Sequence, residues 1–343
     1  MTEKKKKGLS IFLRIVIALI LILVIIFGFI FFYVKGKLDK IQTIDLPKDE
    51  DLGITETVSQ NLTGYRNIAI FGVDSRSDDY GVGNRSDCII IASINNDTGA
   101  IKLISVYRDT YVKIDGHGLD KITHAYSYGE APLAIKTLNT NLDLNINEFV
   151  TVNFDSVAEA VDQLGGVQLT ITSDEIKYIN GYIDETSKVT GKSTPNVTKT
   201  GKQTLNGVQA VAYSRIRYTA GGDYKRTERM RDVLTAMLTK LKTKSLSEIN
   251  KFADNILPKV YTNISSGDIL ALTPSLMSYK ITDSIGWPYK TKGITLDRWY
   301  GVPLTLEKNV TELHQEAFGE PNYTPSETVK NISQQIVKKT GYQ

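Results

Sequence analysis

The chain has 343 residues, 41% of them hydrophobic and 23% charged, an ordinary globular composition that can bury one large domain or two small ones. Its formal net charge of +3 is exceeded by the lysine run at the start, so the remainder is near neutral and carries no global nucleic-acid footprint. A single cysteine, Cys88, excludes a disulfide framework, and three widely spaced histidines, His117, His124 and His314, give no zinc spacing.

Lys4-Lys5-Lys6-Lys7 precedes an almost unbroken apolar run from Val16 to Val34, with Arg14 before it and Lys35 and Lys37 beyond. About 20 apolar residues suffice to cross the hydrocarbon core as a helix. The run is longer than the apolar core of a signal peptide and ends in Phe29-Ile30-Phe31-Phe32-Tyr33-Val34 rather than in small residues, so it predicts an uncleaved anchor. The denser Lys4–Lys7 cluster orients the N-terminus toward the cytoplasm and the bulk of the chain outside. The expected organisation is a basic tail over 1–14, a transmembrane helix over 15–35, a polar stalk over 36–63, an extracellular domain over 64–319 and a loosely attached tail over 320–343. An extracellular domain argues against ATP as a substrate.

The run Asn67 to Thr110 organises the domain. An apolar strand over Ile68 to Val73 ends in Asp74-Ser75-Arg76, and a polar loop leads to Arg85-Ser86-Asp87. A second strand, Cys88 to Ile94, turns at Asn95-Asn96-Asp97-Thr98-Gly99, and Ile101 to Val106 returns along it to Tyr107-Arg108-Asp109-Thr110. Asp74, Asp87 and Arg108 therefore all lie at strand ends and can meet at one edge of the sheet. Hard divalent cations take carboxylate and phosphate oxygens, and arginine matches phosphate bidentately, so the set suits a phosphorylated ligand.

Lys121-Ile122-Thr123-His124-Ala125-Tyr126 leads into an apolar-periodic helix over Ala131 to Leu138. A strand over Val150 to Phe154, a helix over Ser156 to Leu164 and a Gly165-Gly166 turn into Val167 to Ile171 continue an α/β layered pattern. Lys188 to Lys202 reads as a polar loop. Its Gly191-Lys192-Ser193 is not a P-loop: Thr186 stands where the earlier glycine is needed, and no buried strand precedes it.

A second basic set follows. Asn206 to Arg215 reads as a short helix, Ile216-Arg217-Tyr218 follows, and Gly221-Gly222 breaks the chain before a long helix with Asp223 as its expected N-cap. Helical spacing places Arg226 on the stripe of Met230, Val233 and Met237, pointing inward and in need of an anionic partner. Arg229 and Arg231 fall on the flanks and are expected at the solvent-facing rim. Arg215, Arg217 and Arg226 converge on one helix start, an arrangement suited to a pyrophosphate or phosphodiester. Beyond it, helices are expected over Leu246 to Ile256 and Asp268 to Tyr279, a strand over Ile281 to Ile285, and the close of the same domain around Trp299-Tyr300-Gly301-Val302-Pro303 and Val310 to Phe318.

Gly72-Val73-Asp74-Ser75-Arg76, Arg85-Ser86-Asp87, Val106-Tyr107-Arg108-Asp109-Thr110, Lys121-Ile122-Thr123-His124-Ala125-Tyr126, Gly165-Gly166-Val167, Tyr213-Ser214-Arg215-Ile216-Arg217 and Asp223-Tyr224-Lys225-Arg226, taken in order after a membrane anchor, resemble the LytR-CpsA-Psr family. The resemblance implies a three-layer α/β/α domain with a central mixed sheet and a long apolar cavity for a polyprenyl pyrophosphate chain. It implies a phosphotransferase on the outer face of a Gram-positive membrane, moving an anionic glycopolymer (wall teichoic acid, capsule or a related polysaccharide) from its polyprenyl-pyrophosphate carrier to peptidoglycan. By motif position, Asp74 and Asp87 would hold Mg²⁺, and Arg108, Arg215, Arg217 and Arg226 would grip the pyrophosphate. Arg76 and Arg85 match family arginines near the metal, and Asp223 matches the acidic residue beside the basic set, with Asp223 or Asp74 as the candidate base. Met230 stands where the family often has glutamine. Two other readings are a membrane-tethered transcription attenuator, for which the cytoplasmic segment is too short to form a helix-turn-helix, and a polyprenyl-pyrophosphate phosphatase that uses water as acceptor.

Overall fold

The computed structural model describes residues 42–75, 80–265, 268 and 277–343. The expected membrane span over 15–35, Arg76 and most of the expected helix from Asp268 to Tyr279 lie outside these residues. Among the described residues no helix is long and apolar enough to cross a membrane.

In chain order the strands are β1 (Gln42–Thr43), β2 (Tyr65–Val73), β3 (Ser86–Asn95), β4 (Ala100–Val106), β5 (Tyr111–Ile114), β6 (Gly118–Lys121), β7 (Glu148–Asn153), β8 (Val167–Ile171), β9 (Gly201–Leu205), β10 (Tyr261–Thr262), β11 (Lys280–Trp287), β12 (Thr291–Thr295) and β13 (Trp299–Pro303). Seven of them form one mixed sheet in the order β1-β10-β7-β2-β3-β4-β11, while β5-β6, β8-β9 and β12-β13 are separate two-stranded pairs. The expected β2-β3-β4 meander is antiparallel, and β7 and β11 add in parallel to its two sides.

The helices are α1 (Glu56–Asn61), α2 (Ile122–Leu142), α3 (Phe154–Gln163), α4 (Ile176–Thr190), α5 (Gly207–Arg215), α6 (Gly222–Leu241), α7 (Leu246–Ile256), α8 (Leu306–Phe318) and α9 (Glu327–Thr340). Alternate residues of the central strands feed two cores. Ala69, Phe71, Ile91 and Ile104 pack with Ile135 and Leu138 of α2, Leu313 of α8 and Ile336 of α9. Ile68, Ile90, Ala92 and Leu103 face the other way, toward Met230, Leu234 and Leu238 of α6. A strand buried on both faces reads as a continuous apolar run, as Ile68 to Val73 and Cys88 to Ile94 do.

Three expectations change. The helix expected over Ala131 to Leu138 starts nine residues earlier, at Ile122, because the chain kinks at Gly129 and Glu130, just before Pro132, and then resumes. The loop expected over Lys188 to Lys202 is entered by α4, whose Ile179, Ile183 and Thr186 are buried at helical spacing, and it closes with β9. The tail expected over 320–343 carries α9, an integral part of the core. Val329, Ile332 and Ile336 of α9 are buried, and Asp143 accepts hydrogen bonds from the Tyr323 hydroxyl at 3.0 Å and the Ser326 hydroxyl at 2.6 Å.

Candidate active site

The meeting of β2 and β3 is shaped by close approach. A Cβ at Gly72 would lie 2.8 Å from the Cβ of Cys88, so a larger residue would push the strands apart. Just beyond, the register shifts so that Gly72 pairs with Cys88 and Val73 with Ser86, leaving Asp87 as the extra residue of a bulge. Bulges re-aim side chains at sheet rims. Here the bulge brings Asp87 into a pocket of about 360 Å³ that Asp74, Arg85, Arg108, Arg215, Arg217 and Arg226 also line.

Arg108 Nη1 donates to Asp87 Oδ1 at 2.7 Å, Arg217 Nη2 lies 3.6 Å from Asp87 Oδ2, and Arg226 Nη2 donates to the Asp87 carbonyl at 3.2 Å. Two basic segments more than a hundred residues apart in sequence thus meet on one carboxylate. The Lys121 to Tyr126 motif serves as their frame. Thr123 donates from its hydroxyl to the Ser86 carbonyl at 2.9 Å and from its amide to the Arg108 carbonyl at 3.1 Å, tying the two strand ends together. Lys121 pairs with Asp109 at 2.6 Å, and the Tyr126 hydroxyl donates to the Tyr80 carbonyl at 3.1 Å.

Asp223 is not the N-cap of α6. Gly221, at φ +90°, takes that position, and Asp223 falls in the first turn. There its carboxylate lies 2.9 Å from Arg226, 3.8 Å from Arg217 and 3.9 Å from Arg108. Arg226 points inward as its spacing predicts and is 2% exposed. Arg229 and Arg231 do not reach the rim: both are buried, because the β8-β9 side of the molecule and the sheet cover the two flanks of α6. Arg229 is satisfied by Glu175 at 2.7 Å, the Ile216 carbonyl at 3.0 Å and the Thr219 hydroxyl at 2.6 Å, a structural role behind the pocket residues Arg215 and Arg217 rather than in the lining.

Five guanidinium groups and three carboxylates, those of Asp74, Asp87 and Glu185, line the pocket, so it stays cationic with every acid ionised. Burial pulls the Arg108 guanidinium down, but Asp87, Asp109 and Asp223 together outweigh it and hold its pKa above the ordinary arginine value. Burial dominates at Arg226 and lowers it despite Asp223. Among the described residues the buried Nε atoms of Arg108 and Arg226 have no hydrogen-bond acceptor. An anion entering the pocket would supply acceptors for such groups, and leaving them unsatisfied has a cost.

Phe154 and Met230 line this pocket and also an apolar cavity of about 310 Å³ between the sheet and α6, bounded by Ile68, Ile90, Ala92, Val150, Val211 and Leu234 among others. Met230 therefore stands at the junction of a cationic and an apolar space. Cys88 borders the cavity, and burial pushes its thiol up to about 12, so it is a neutral wall group. Tyr182 and Glu185 of α4 also line the pocket and were missed by sequence reasoning; the Ile179, Ile183, Thr186 periodicity was the signal that could have found them. Glu185 accepts from Arg215 at 3.3 Å, and the Arg215 guanidinium lies 4.9 Å above the Phe154 ring. Among the described residues no three His, Cys, Asp or Glu side chains group as a metal cage. The pocket offers two carboxylates of the sheet rim, Asp74 and Asp87, as hard donors.

The LytR_cpsA_psr family model matches residues 29–310. The chain is 34% identical over 236 residues to the polyisoprenyl-teichoic acid–peptidoglycan teichoic acid transferase TagT of Bacillus subtilis, covering 66% of this chain and 70% of that protein. It is 32% identical over 254 residues to the transferase TagU of the same organism, covering 74% and 76%. A solved structure of TagT bound to LIIa-WTA superposes with a TM-score of 0.57 at 26% identity, covering 82% of this chain and 92% of that one. A match of this extent establishes that the chain belongs to the LytR_cpsA_psr family.

Proposed function

We propose that this protein is a phosphotransferase that moves an anionic glycopolymer from a polyprenyl-pyrophosphate carrier to peptidoglycan, forming a phosphodiester. The observation that carries the reading is the junction at Phe154 and Met230, where an arginine-lined pocket meets an apolar cavity. A ligand that fits both is a diphosphate joined to a long hydrocarbon. The names of the curated relatives, teichoic acid transferases, fit the same chemistry. The transferred polymer is wall teichoic acid, a capsular polysaccharide or a related anionic chain. In this reading a three-layer domain is held at the outer face of the membrane by the span over 15–35, with the N-terminus cytoplasmic.

Arg108, Arg215, Arg217 and Arg226 bind the diphosphate, with Arg85 beside them; Arg76, outside the described residues, is assigned to the same group by its motif alone. Their fixed charge matches the equatorial and leaving oxygens, where negative charge gathers during phosphoryl transfer. Asp74 and Asp87 would hold Mg²⁺. Two carboxylates fit a hard cation that completes its shell from phosphate oxygens and water, and the ion would supply Lewis-acid neutralisation of the diphosphate. Asp223, beside three arginines, or Asp74 would take the proton of the attacking hydroxyl, and the contact of Asp223 with the arginine set favours it.

The test is to incubate the purified protein with a lipid-linked glycan and peptidoglycan oligomers, with and without Mg²⁺. Polymer joined to sugar is the expected product. Free polymer phosphate would mean a phosphatase, and no turnover would mean a binder or regulator. Arg108→Ala and Asp87→Ala are each expected to abolish transfer while the domain still melts cooperatively; retained transfer would remove both residues from the mechanism.

A further inference from the structure

Asp223, whose carboxylate lies within 4 Å of three pocket arginines, also lines a second cleft of about 230 Å³, together with Tyr107, Asp109, Tyr224, Thr291 and Trp299 among others. Its chemistry differs from that of its neighbour. Among the described residues no lysine or arginine lines it, while Asp109, paired with Lys121, and Asp223, paired with Arg226, do. Two aromatic side chains of this lining keep much of their surface open to solvent: Trp299 is 46% exposed and Tyr224 42% exposed.

Both rings are held in place from beneath. Gly293 and Gly301 face each other across the β12-β13 pair, and a Cβ at Gly293 would meet the Trp299 indole at 2.8 Å, so the glycine lets the indole lie against the hairpin with its outer face open. The Tyr224 hydroxyl shares a hydrogen bond of 2.9 Å with Thr291 Oγ1, and its ring meets Tyr107 edge to face at 4.4 Å. The result is a rigid aromatic platform with carboxylates and hydroxyls at its rim. Fixed aromatic faces suit the apolar C–H faces of a sugar ring, and carboxylate and hydroxyl oxygens suit its hydroxyl groups. With Asp109 and Asp223 already paired to Lys121 and Arg226 and no cation in the described lining, the cleft offers a phosphate group no charge to bind, whereas the arginine pocket does.

We propose that this cleft is the acceptor subsite, binding a neutral N-acetylhexosamine ring of the peptidoglycan glycan and presenting one of its hydroxyls to the diphosphate across Asp223. The inference rests on the transferase reading. In the transfer, the acceptor oxygen forms a new bond to the phosphorus nearest the polymer, the bond from that phosphorus to the bridging oxygen breaks, and polyprenyl phosphate leaves. The hydroxyl proton passes to the Asp223 carboxylate, which lines the cleft and lies within 4 Å of three pocket arginines. Trp299 and Tyr224 are specificity residues for the acceptor and make no contact with the donor.

The full-length protein in detergent provides two independent readouts. Trp299 is one of only two tryptophans and the other, Trp287, is fully buried, so intrinsic fluorescence reports on the cleft. Titration with a neutral tetrasaccharide of N-acetylglucosamine should shift the emission saturably, and Tyr224→Ala should weaken that binding by about tenfold. In the transfer assay, Trp299→Ala should raise the acceptor KM by about tenfold with donor KM and melting temperature unchanged, and Trp299→Phe should restore much of the loss. No emission change with the tetrasaccharide, or an unchanged acceptor KM in a folded Trp299→Ala protein that still transfers, would overturn the subsite. Saturable emission change in a protein that transfers polymer to no acceptor would instead overturn the transferase reading and leave the sugar cleft standing.

Discussion

Filling the apolar cavity tests where the hydrocarbon goes. Ala92 sits at the middle of β3, 9% exposed, with its side chain on the cavity wall. At about 30 Å³ each, roughly ten methylene-sized groups fit the cavity of about 310 Å³. The six ring carbons added by Ala92→Phe would take more than half of that space. At about 0.8 kcal/mol per buried methylene, the lost burial is roughly 5 kcal/mol gross, and ordering of the flexible chain cuts this to about half. The expected outcome is a roughly hundredfold weaker affinity for a long-chain polyprenyl pyrophosphate. Inorganic pyrophosphate, which touches only the arginines, should bind unchanged, and the melting temperature should hold because the ring enters space that is already empty. The assay is equilibrium binding of both ligands to both proteins in detergent. Unchanged long-chain affinity in a folded Ala92→Phe protein would show that the tail runs elsewhere and would refute the junction argument.

Other consequences follow from particular contacts. Arg226→Met removes a buried cation whose partner Asp223 is 30% exposed and keeps Arg217 nearby, so stability should fall by only about 1–2 kcal/mol while pyrophosphate binding drops more than about tenfold; equal binding would remove Arg226 from the grip. Burial holds the Asp232 carboxyl above the usual carboxylate range, against the Tyr213 hydroxyl that donates to it at 3.1 Å. Raised in the folded state, this group favours folding while protonated, and that contribution is lost as pH rises through its folded pKa. Asp232→Asn should therefore raise the melting temperature near neutral pH, with the gain closing in acid, and an equal gain at both would contradict the assignment. Truncation after residue 325 removes Val329, Ile332 and Ile336 from the core; at about 1.5–3 kcal/mol each the loss rivals the whole stability of an ordinary domain. The shortened chain should fail to melt cooperatively in a thermal scan, and a native-like transition would show that α9 is dispensable.

Local patterning was enough to read the β2-β3-β4 meander, the α5 helix, the inward face of Arg226 and the placement of Asp74, Asp87 and Arg108 at strand ends. Each of these depends on periodicity or on turn residues within a few positions, which the chain itself records. The family motifs, read in order, were likewise a property of the sequence. What lies on the two flanks of α6 depends on elements far away in the chain. Arg229 and Arg231 look like rim residues to helical spacing, and only the approach of Glu175 and of the sheet buries them. The same holds for 320–343: α9 shows its Val329, Ile332, Ile336 stripe locally, but whether that stripe meets a core depends on the Asp143 contacts that dock it.

Sequence by itself determined which residue types carry charge to the rim of the sheet and which helices have an apolar face, because those follow from backbone periods of two and 3.6 residues. Tertiary structure alone decided that the two arginine segments close on one carboxylate, that Met230 joins a cationic pocket to an apolar cavity, and that Trp299 faces the same cleft as Asp223. These juxtapositions bring together segments tens to hundreds of residues apart, and packing of the whole sheet and its helices, which no local preference encodes, is what sets the distances between them.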